Sequence, residues 1–451
     1  MNQNSYLKIF TCLTLLMTGV ANAAKKPNIV FFLVDDLGWA DLSCDGSAFH
    51  ESPRIDALAQ EGMKFTQSYT PSGVCSPTRS SIITGQNPAR HGATNWGKPM
   101  KDTVRSFGQD FLEAGYATFF TGKWHIKPMT PKDAGFAVDQ EITKKMFNPD
   151  DPKATRLITK NTVSFIQNQT ADKPFLAYVN YHAVHAQAME TQERVAQFEE
   201  KLKTDPPQPG KAIGGTHPKD WSWRQKHTQD NPQYAAMLKA VDDSVAEILN
   251  VVKELGFEEN TLVIFSSDNG GLSTRYNLTS NLPLRVGKGW LYEGGVRVPT
   301  IIKWPGVVEP GSVSEAPIIS MDYYPTMLEA TGLPLRPEDH VDGLGLYSLI
   351  TGGDAPTRDT LYWHYPHYHG AGNAPSGSIL HKGYKLITYF DRDLTELFHL
   401  EEDISELNDL SQSMPEKVTE LSTMLSQWQS YIPGINFGEE EIAKRHSKKK
   451  K

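Results

Sequence analysis

The chain has 451 residues, 39% of them hydrophobic, a formal net charge of −8 at pH 7 and three cysteines. That length and apolar content suffice for a large buried core with a smaller second unit, while so few cysteines exclude a disulfide scaffold. The acidic balance argues against a nucleic-acid binder, and an acidic protein acting on an anion has to concentrate positive charge locally.

The first residues carry a single charge, Lys8, ahead of an apolar stretch from Ile9 to Val20 and then Ala21-Asn22-Ala23. This is the pattern of a secretory leader (1–23) cleaved after Ala23, which places the mature chain in the periplasm or outside the cell. The run is too short to span a bilayer and no later segment reaches its length, so no stable membrane insertion is expected. Cys12 leaves with the leader, and Cys44 and Cys75 allow one bridge in an oxidising compartment.

Asn28 to Val34 is a nearly continuous apolar run, as expected of a strand covered on both faces in a parallel sheet. It ends in Asp35-Asp36, two carboxylates that need a cation or hydrogen bonds unless they merely cap a turn. Ser52-Pro53 opens an amphipathic helix to about Glu61. Cys75-Ser76-Pro77-Thr78-Arg79 begins another, with a proline where a missing N–H costs nothing. A cysteine, either packed or nucleophilic, thus sits at a helix start that attracts anions, with Arg79 on the same face. Strand-like runs follow at Tyr116 to Thr121, Pro174 to Tyr181 and Thr261 to Ser266. They lead into Gly122-Lys123-Trp124-His125, into His182 and His185, and into Ser267-Asp268-Asn269-Gly270. Helical patterns at Phe107 to Ala114 and Tyr234 to Leu255 lie between them, which predicts a parallel sheet with helices on both faces.

Gln187 to Pro232 is polar and weakly periodic and carries Trp221, Trp223, Arg224 and Lys226. A glycine-punctuated loop bearing Lys288 enters a strand at Thr300 to Lys303, and Met321 to Ala330 reads as a helix. From about Pro356 the texture changes to a loop rich in histidine and aromatics, Trp363 to Gly370. Strand-like pieces follow at Ser378 to Lys382, Tyr384 to Phe390 and Glu396 to Leu400, then a helix from Pro415 to Tyr431. The predicted organisation after the leader is an α/β domain (24–355), a small antiparallel α+β subdomain (356–432) and a charged, disordered tail (433–451).

Each core strand delivers ionisable or amide side chains just past its C-terminal end, the edge where open α/β sheets bind ligands. Asp35, Asp36, Asp268 and Asn269 are hard oxygen donors, suited to calcium, or less well to magnesium, rather than zinc. Arg79, Lys123 and Lys288, with His125 and His185 when protonated, supply the fixed positive groups that a tetrahedral anionic transition state needs. His182 reads equally well as a structural hydrogen-bonder.

The string from Cys75 to Gly85 resembles the modification signature of the type I sulfatases. From about Pro27 to Leu410 the other motifs follow in that family's order: Asp35-Asp36, the Cys75 string, Gly122-Lys123-Trp124-His125, His185, Asp268-Asn269-Gly270 and Lys288. The resemblance implies an alkaline-phosphatase-like α/β fold, a large, mostly parallel mixed sheet sandwiched by helices, with a small C-terminal antiparallel α+β subdomain. It implies that a formylglycine-generating enzyme converts Cys75 to formylglycine, and that calcium is held by Asp35, Asp36, Asp268, Asn269 and residue 75. In that scheme one hydroxyl of the hydrated aldehyde attacks sulfur and His125 helps the other expel sulfate. Arg79 and Lys123 stabilise the nucleophile, while His185 and Lys288 hold the sulfate and serve the leaving oxygen. Thr121 departs from the family pattern, which has a small non-hydroxylic residue or serine there.

Substrate-binding candidates outside the sulfate pocket are His364, His367 and His369 in one loop, with Trp223 and Arg224 in the polar segment. Aromatic faces there would stack on sugar rings and arginine would meet a second anion. Together with the leader they point to a sulfated polysaccharide or oligosaccharide. The competing readings are a phosphonate or phosphate ester hydrolase of the same superfamily and a catalytically silent glycan-binding relative. The latter would keep a thiol at residue 75.

Overall fold

The computed structural model describes residues 25–211 and 225–449; the leader and its expected cleavage site lie outside the described residues. Strand β1 (Asn28–Val34) is buried along its whole length. Ile29, Phe31 and Leu33 point into one core and Val30, Phe32 and Val34 into the other, because successive side chains alternate across a strand. Each such burial is worth about 1.5–3 kcal/mol, so this strand ties both helical layers to the sheet. One layer contains the Pro53–Gln60, Thr155–Gln167 and Pro232–Glu254 helices; the other contains Cys75–Thr84, Phe107–Glu113 and Tyr323–Ala330.

The further strands are β2 (Met63–Phe65), β3 (Ser68–Tyr69), β4 (Ala117–Gly122), β5 (Val138–Glu141), β6 (Phe175–Asn180), β7 (Thr261–Ser267) and β8 (Thr300–Lys303). After them come β9 (Ser312–Ser314), β10 (Ile318–Ile319), β11 (Thr360–Tyr365), β12 (Ser376–His381), β13 (Tyr384–Tyr389) and β14 (Thr395–His399). The main sheet has eight strands in the order β5-β4-β6-β1-β7-β8-β2-β9. The run from β5 to β7 is parallel, with Phe31 of β1 facing Tyr178 and Ile264, and β8 joins β7 antiparallel. β3 and β10 form a separate pair, and β11 to β14 form an antiparallel meander covered by the Pro415–Ser430 helix. The predicted α/β fold with a small C-terminal antiparallel subdomain is the fold observed.

The meander shares a core with the main domain, where Trp363, Tyr365 and Phe398 pack with Val74, Cys75, Trp290 and Tyr292. Trp363 donates to Thr70 O at 2.7 Å, and Trp290 to Ala371 O at 3.1 Å. Fully buried Lys385 bridges Glu293 (2.8 Å) and Glu406 (3.0 Å). Such a triad offsets its desolvation only while its members stay together.

Several expectations change. Trp363 to Tyr365, read as the start of a loop, belong to a strand, Thr360–Tyr365, paired along its length with β12. The polar segment contains a helix, Gln192–Thr204, whose Val195 and Phe198 pack on Phe49; so narrow an apolar stripe leaves little periodicity to read. The tail is not disordered, since Glu439–Lys449 is helical. Phe437 packs edge-on against His364 and Phe390, giving this charged stretch the apolar anchor that composition alone does not reveal. Cys44 and Cys75 are both free, so they form no bridge.

Phe437 is half-buried. Phe437→Ala should therefore lower stability by about 1–2 kcal/mol, less than the loss for a fully buried Phe. Denaturant unfolding checks this, and an unchanged midpoint would mean that the anchor contributes nothing.

Candidate active site

Four parallel strands end at one rim. β1 hands on Asp35 and Asp36, β4 leads into Lys123 and His125, β6 into Asn180 and His185, and β7 into Asp268 and Asn269. Main-chain bonds lace these exits together: Asp35 N–H to Ala183 O (3.0 Å), Asp268 N–H to Val34 O (3.1 Å) and Lys123 N–H to Asn180 O (3.0 Å). Gly122 turns the chain off β4 at φ 98°, and a Cβ there would lie 1.7 Å from Asn180 O, so the exit requires glycine.

The Cys75–Thr84 helix aims its first turn at this rim, with Val74 as cap and Pro77 in the third position, where an N–H has no intrahelical partner. Arg79, one turn beyond Cys75, donates from Nε to Asp268 Oδ2 (2.7 Å) and from Nη1 to Asn180 Oδ1 (2.7 Å) and Lys123 O (2.8 Å). Its Nη2 stands 3.8 Å from Asp35 Oδ1. Cys75 Sγ lies 3.3 Å from His125 Nδ1. Lys123 Nζ pairs with Asp35 Oδ2, and Lys288 Nζ with Asp36 Oδ1. Asp36 Oδ1 also accepts from Asn269 Nδ2 (2.8 Å), and Asp36 N–H donates to Asp268 Oδ1 (3.1 Å). His185 Nε2 is 3.7 Å from Asp36 Oδ2, while its Nδ1 bonds Ala186 O. The structure thus brings Asp35, Asp36, Cys75, Arg79, Lys123, His125, His185, Asp268, Asn269 and Lys288 into one cluster.

Charge and burial set the protonation states. Burial pushes the Asp35 carboxyl up, but Lys123, His185, Arg79 and Lys288 together outweigh it and hold it well below the carboxylate range. Asp268 moves the opposite way, up to about 7, through burial and the neighbouring Asp35 charge. Burial, reinforced by the Lys123 charge, pushes His125 down to about 3. Burial also takes His185 down to about 4, so both imidazoles are neutral at pH 7. Burial raises the Cys75 thiol as well, which makes the unmodified side chain a poor nucleophile.

Asp35 Oδ1, Asp36 Oδ2 and Asn269 Oδ1 are buried without a hydrogen-bond partner. Each would cost about 1–3 kcal/mol if left so. Ligand atoms of Asp35, Cys75 and Asp268 also lie within 4.8 Å of one another. Oxygen donors that are orphaned and anionic fit a hard divalent cation such as calcium.

The other candidates separate. His369 reaches the rim, its ring lying against the backbone of Gly289 beside Lys288; a Cβ on Gly289 (φ 91°) would be 2.0 Å from His369 Nδ1. His364 and His367 do not serve the site. His364 is fixed by Asn436 O (2.7 Å) and Gln429 (3.2 Å), and His367 by Thr94 (2.9 Å) and Glu441 (2.8 Å). Both hold the chain's last segment: His364 lies in β11 rather than in an open loop, and His367 follows two residues after the strand ends. Trp223 and Arg224 lie outside the described residues. His182 bonds Ile142 O at 2.7 Å, a structural role. Sequence reasoning missed Asn180, although an amide ending an apolar run was a signal. A cavity of about 260 Å³ opens beside Lys123, His125 and His185; a larger one, about 680 Å³, beside Trp39, Arg297 and Arg358 shares none of its residues.

The family model described as Sulfatase matches residues 27–333, and that described as N-sulphoglucosamine sulphohydrolase, C-terminal, matches residues 286–430. The chain is 29% identical to a sulfatase of Formosa agariphila, over 88% of this chain and 87% of the relative. It is 30% identical to arylsulfatase A of Homo sapiens, over 78% and 73%. A protein solved in complex with k-i-k-neocarrahexaose has a similar fold, with a TM-score of 0.76 at 24% identity, covering 94% of this chain and 98% of that one. Another, solved in complex with its substrate D-glucosamine-2-N, 6-O-disulfate, has a TM-score of 0.76 at 23% identity, covering 92% and 100%. The phosphonate monoester hydrolase of Agrobacterium radiobacter shares the fold at a TM-score of 0.66 and 19% identity, covering 88% and 96%.

To hold a cation Asp268 would have to lose its proton, and burial beside Asp35 pushes its carboxyl up to about 7. Below pH 7 a cation therefore displaces that proton, and calcium affinity should rise with pH up to about 7. Calorimetry at pH 6 in buffers of different ionisation enthalpy should detect release of up to about one proton per calcium, and almost none at pH 8. Pronounced proton release at pH 8 would contradict this assignment.

Proposed function

Because the chain belongs to the sulfatase family and is a sulfuric ester hydrolase, we propose that it removes sulfate from a sulfated carbohydrate with formylglycine, made from Cys75, as its nucleophile. Calcium would be held by Asp35, Asp36, Asp268 and Asn269. The observation that carries this reading is the setting of Cys75 Sγ: among carboxylate oxygens of Asp35 and Asp268, and 3.3 Å from His125 Nδ1. A buried, protonated thiol does little there, whereas a hydrated aldehyde puts two hydroxyls in its place. A formylglycine-generating enzyme has to act first, and the leader-like residues 1–23 support export to the periplasm or beyond.

When bound, the cation would supply Lewis-acid stabilisation of negative charge on the sulfate and ease deprotonation of a neighbouring hydroxyl. One hydroxyl of residue 75 gives its proton to the adjacent Asp268 carboxylate and attacks sulfur, the S–O bond to the sugar breaks in line, and the sugar leaves as an alcohol. Lys288 Nζ, and His185 Nε2 once a bound sulfate raises its proton affinity, grip the sulfate oxygens and deliver the proton to the leaving oxygen. Arg79 and Lys123 hold the nucleophile's surroundings in place through Asp268 and Asp35. His125, neutral at pH 7, then takes the proton of the second hydroxyl at Nδ1. The C–O bond to sulfate breaks, sulfate departs, and the aldehyde is regenerated for rehydration by water.

A carbohydrate substrate, a polysaccharide or oligosaccharide, is supported by the two structural neighbours solved with saccharides and by the cavity of about 260 Å³ that opens beside the cluster.

Peptide mass spectrometry with an aldehyde-specific label should find residue 75 modified, and Cys75→Ala should reduce sulfate release to background. Undiminished activity in that variant would sink the mechanism. His125→Ala should slow turnover by about 10²–10⁴-fold and leave a burst of alcohol followed by a stall, since only the second step needs its base. Comparing kcat/KM for matched sulfate and phosphonate esters decides between this reading and a phosphonate hydrolase.

A further inference from the structure

Buried lysines in this fold are paired. Lys288 has Asp36, Lys303 has Glu61 and Glu258, and Lys385 has Glu293 and Glu406. Lys153 is the exception among the described residues: 3% exposed, it has no carboxylate oxygen within 4.0 Å of its Nζ. Nζ donates to His185 O at 2.8 Å and lies 6.0 Å from the Phe147 ring centroid. An ammonium has three donors, and a buried cation without a counter-ion is costly. Burial lowers its pKa only to about 8, so it stays charged at pH 7.

Lys153 lines the cavity of about 260 Å³ that opens on the catalytic cluster, together with Lys123, His125, His185, Phe147 and Lys144. Lys144 stands exposed at its edge. Glu141 also lines this cavity but makes no ion pair with Lys153. A sugar whose sulfate lies against His125 and His185 therefore places its neighbouring substituents within a pocket that holds, besides the Lys123–Asp35 pair, a buried cation with no ion-pair partner.

Resting on the sulfatase reading, we propose that Lys153, assisted by Lys144, binds a second anionic substituent of the substrate, a sulfate ester or a carboxylate close to the sulfate that is removed. The enzyme then selects saccharides carrying at least two negative groups. A role confined to bracing the His185 carbonyl is the competing explanation.

The test uses the formylglycine-bearing, calcium-loaded enzyme as wild type, K153Q, K153R and K153M. The substrates are a monosulfated hexosamine, the same sugar with a second sulfate, and the monosulfated sugar joined to a uronate. Wild type should favour at least one doubly anionic substrate by about 10–100-fold in kcat/KM, mostly through KM. K153Q and K153M should erase that preference while changing kcat/KM on the monosulfated sugar less than about threefold, and K153R should restore much of it. The arm that holds the preference identifies sulfate or carboxylate as the second group. An equal loss on all substrates, or no preference in wild type, overturns the proposal in favour of a brace for His185. If wild type cleaves no sulfate ester, the sulfatase reading fails instead. Calorimetric binding of the same saccharides to wild type and K153Q then decides the Lys153 site, equal affinities overturning it.

Discussion

Three carboxylates, Asp35, Asp36 and Asp268, converge in a buried space, and the rest of the site is arranged around their mutual repulsion. Arg79 answers Asp268, Lys123 answers Asp35 and Lys288 answers Asp36. Each cation comes from a different part of the chain: the helix begun by Cys75, the exit of β4 and the loop before β8. The carboxylates therefore act as fasteners between segments as well as ligands. Breaking one pair would strand a buried charge, which is far costlier than losing a surface pair. Even with all pairs made, two of their oxygens, Asp35 Oδ1 and Asp36 Oδ2, remain orphaned beside Asn269 Oδ1, a set that a further cation would satisfy.

The C-terminal meander belongs to the same construction. Lys288 is held by its own N–H on Gly271 O (3.0 Å) and by the neighbouring Gly289 N–H on Gly73 O (2.7 Å). On its far side Trp290 donates to Ala371 O, and His369 closes over Gly289. The segment then runs to Glu293, anchored by Lys385 of β13. A subdomain that contributes none of the clustered carboxylates thus fixes the position of Lys288 and packs against the wall behind Cys75.

What was legible in the sequence was whatever is buried on both sides and ends abruptly. β1 occupies the predicted Asn28 to Val34, and Asp35-Asp36 stand out because nothing polar precedes them for six residues. The rim residues could be read for the same reason: an ionisable group after a core strand has few bland explanations. Less legible were features whose meaning depends on distant partners. His364 and His367 share their loop-like composition with His369, yet two of them hold the chain's end and only one reaches the site. The difference arises from Asn436 and Glu441, more than 70 positions away. The tail looked disordered because its apolar anchor is a single residue, Phe437. Lys153 follows an Asp-Pro turn like many surface lysines, and only the folded chain reveals that it lacks a counter-ion.

Charge balance explains why the cation and the unpaired lysine matter together. Within the cluster, Asp35, Asp36 and Asp268 are matched one for one by Arg79, Lys123 and Lys288, and His125 and His185 are neutral at pH 7. With Asp268 ionised, these groups therefore present no net positive charge to a sulfate, in a chain whose overall charge is −8. Anion affinity has to come from groups added to that balance. In the proposed scheme a divalent cation would contribute at the point of attack, and Lys153 at the sugar. The first serves any sulfate ester, so it supplies rate without discrimination. The second acts only on a substrate with another negative group, so it discriminates without touching the reacting sulfur. Separating these two sources of charge lets the pocket change its preference among saccharides while the nucleophile and its carboxylates stay as they are.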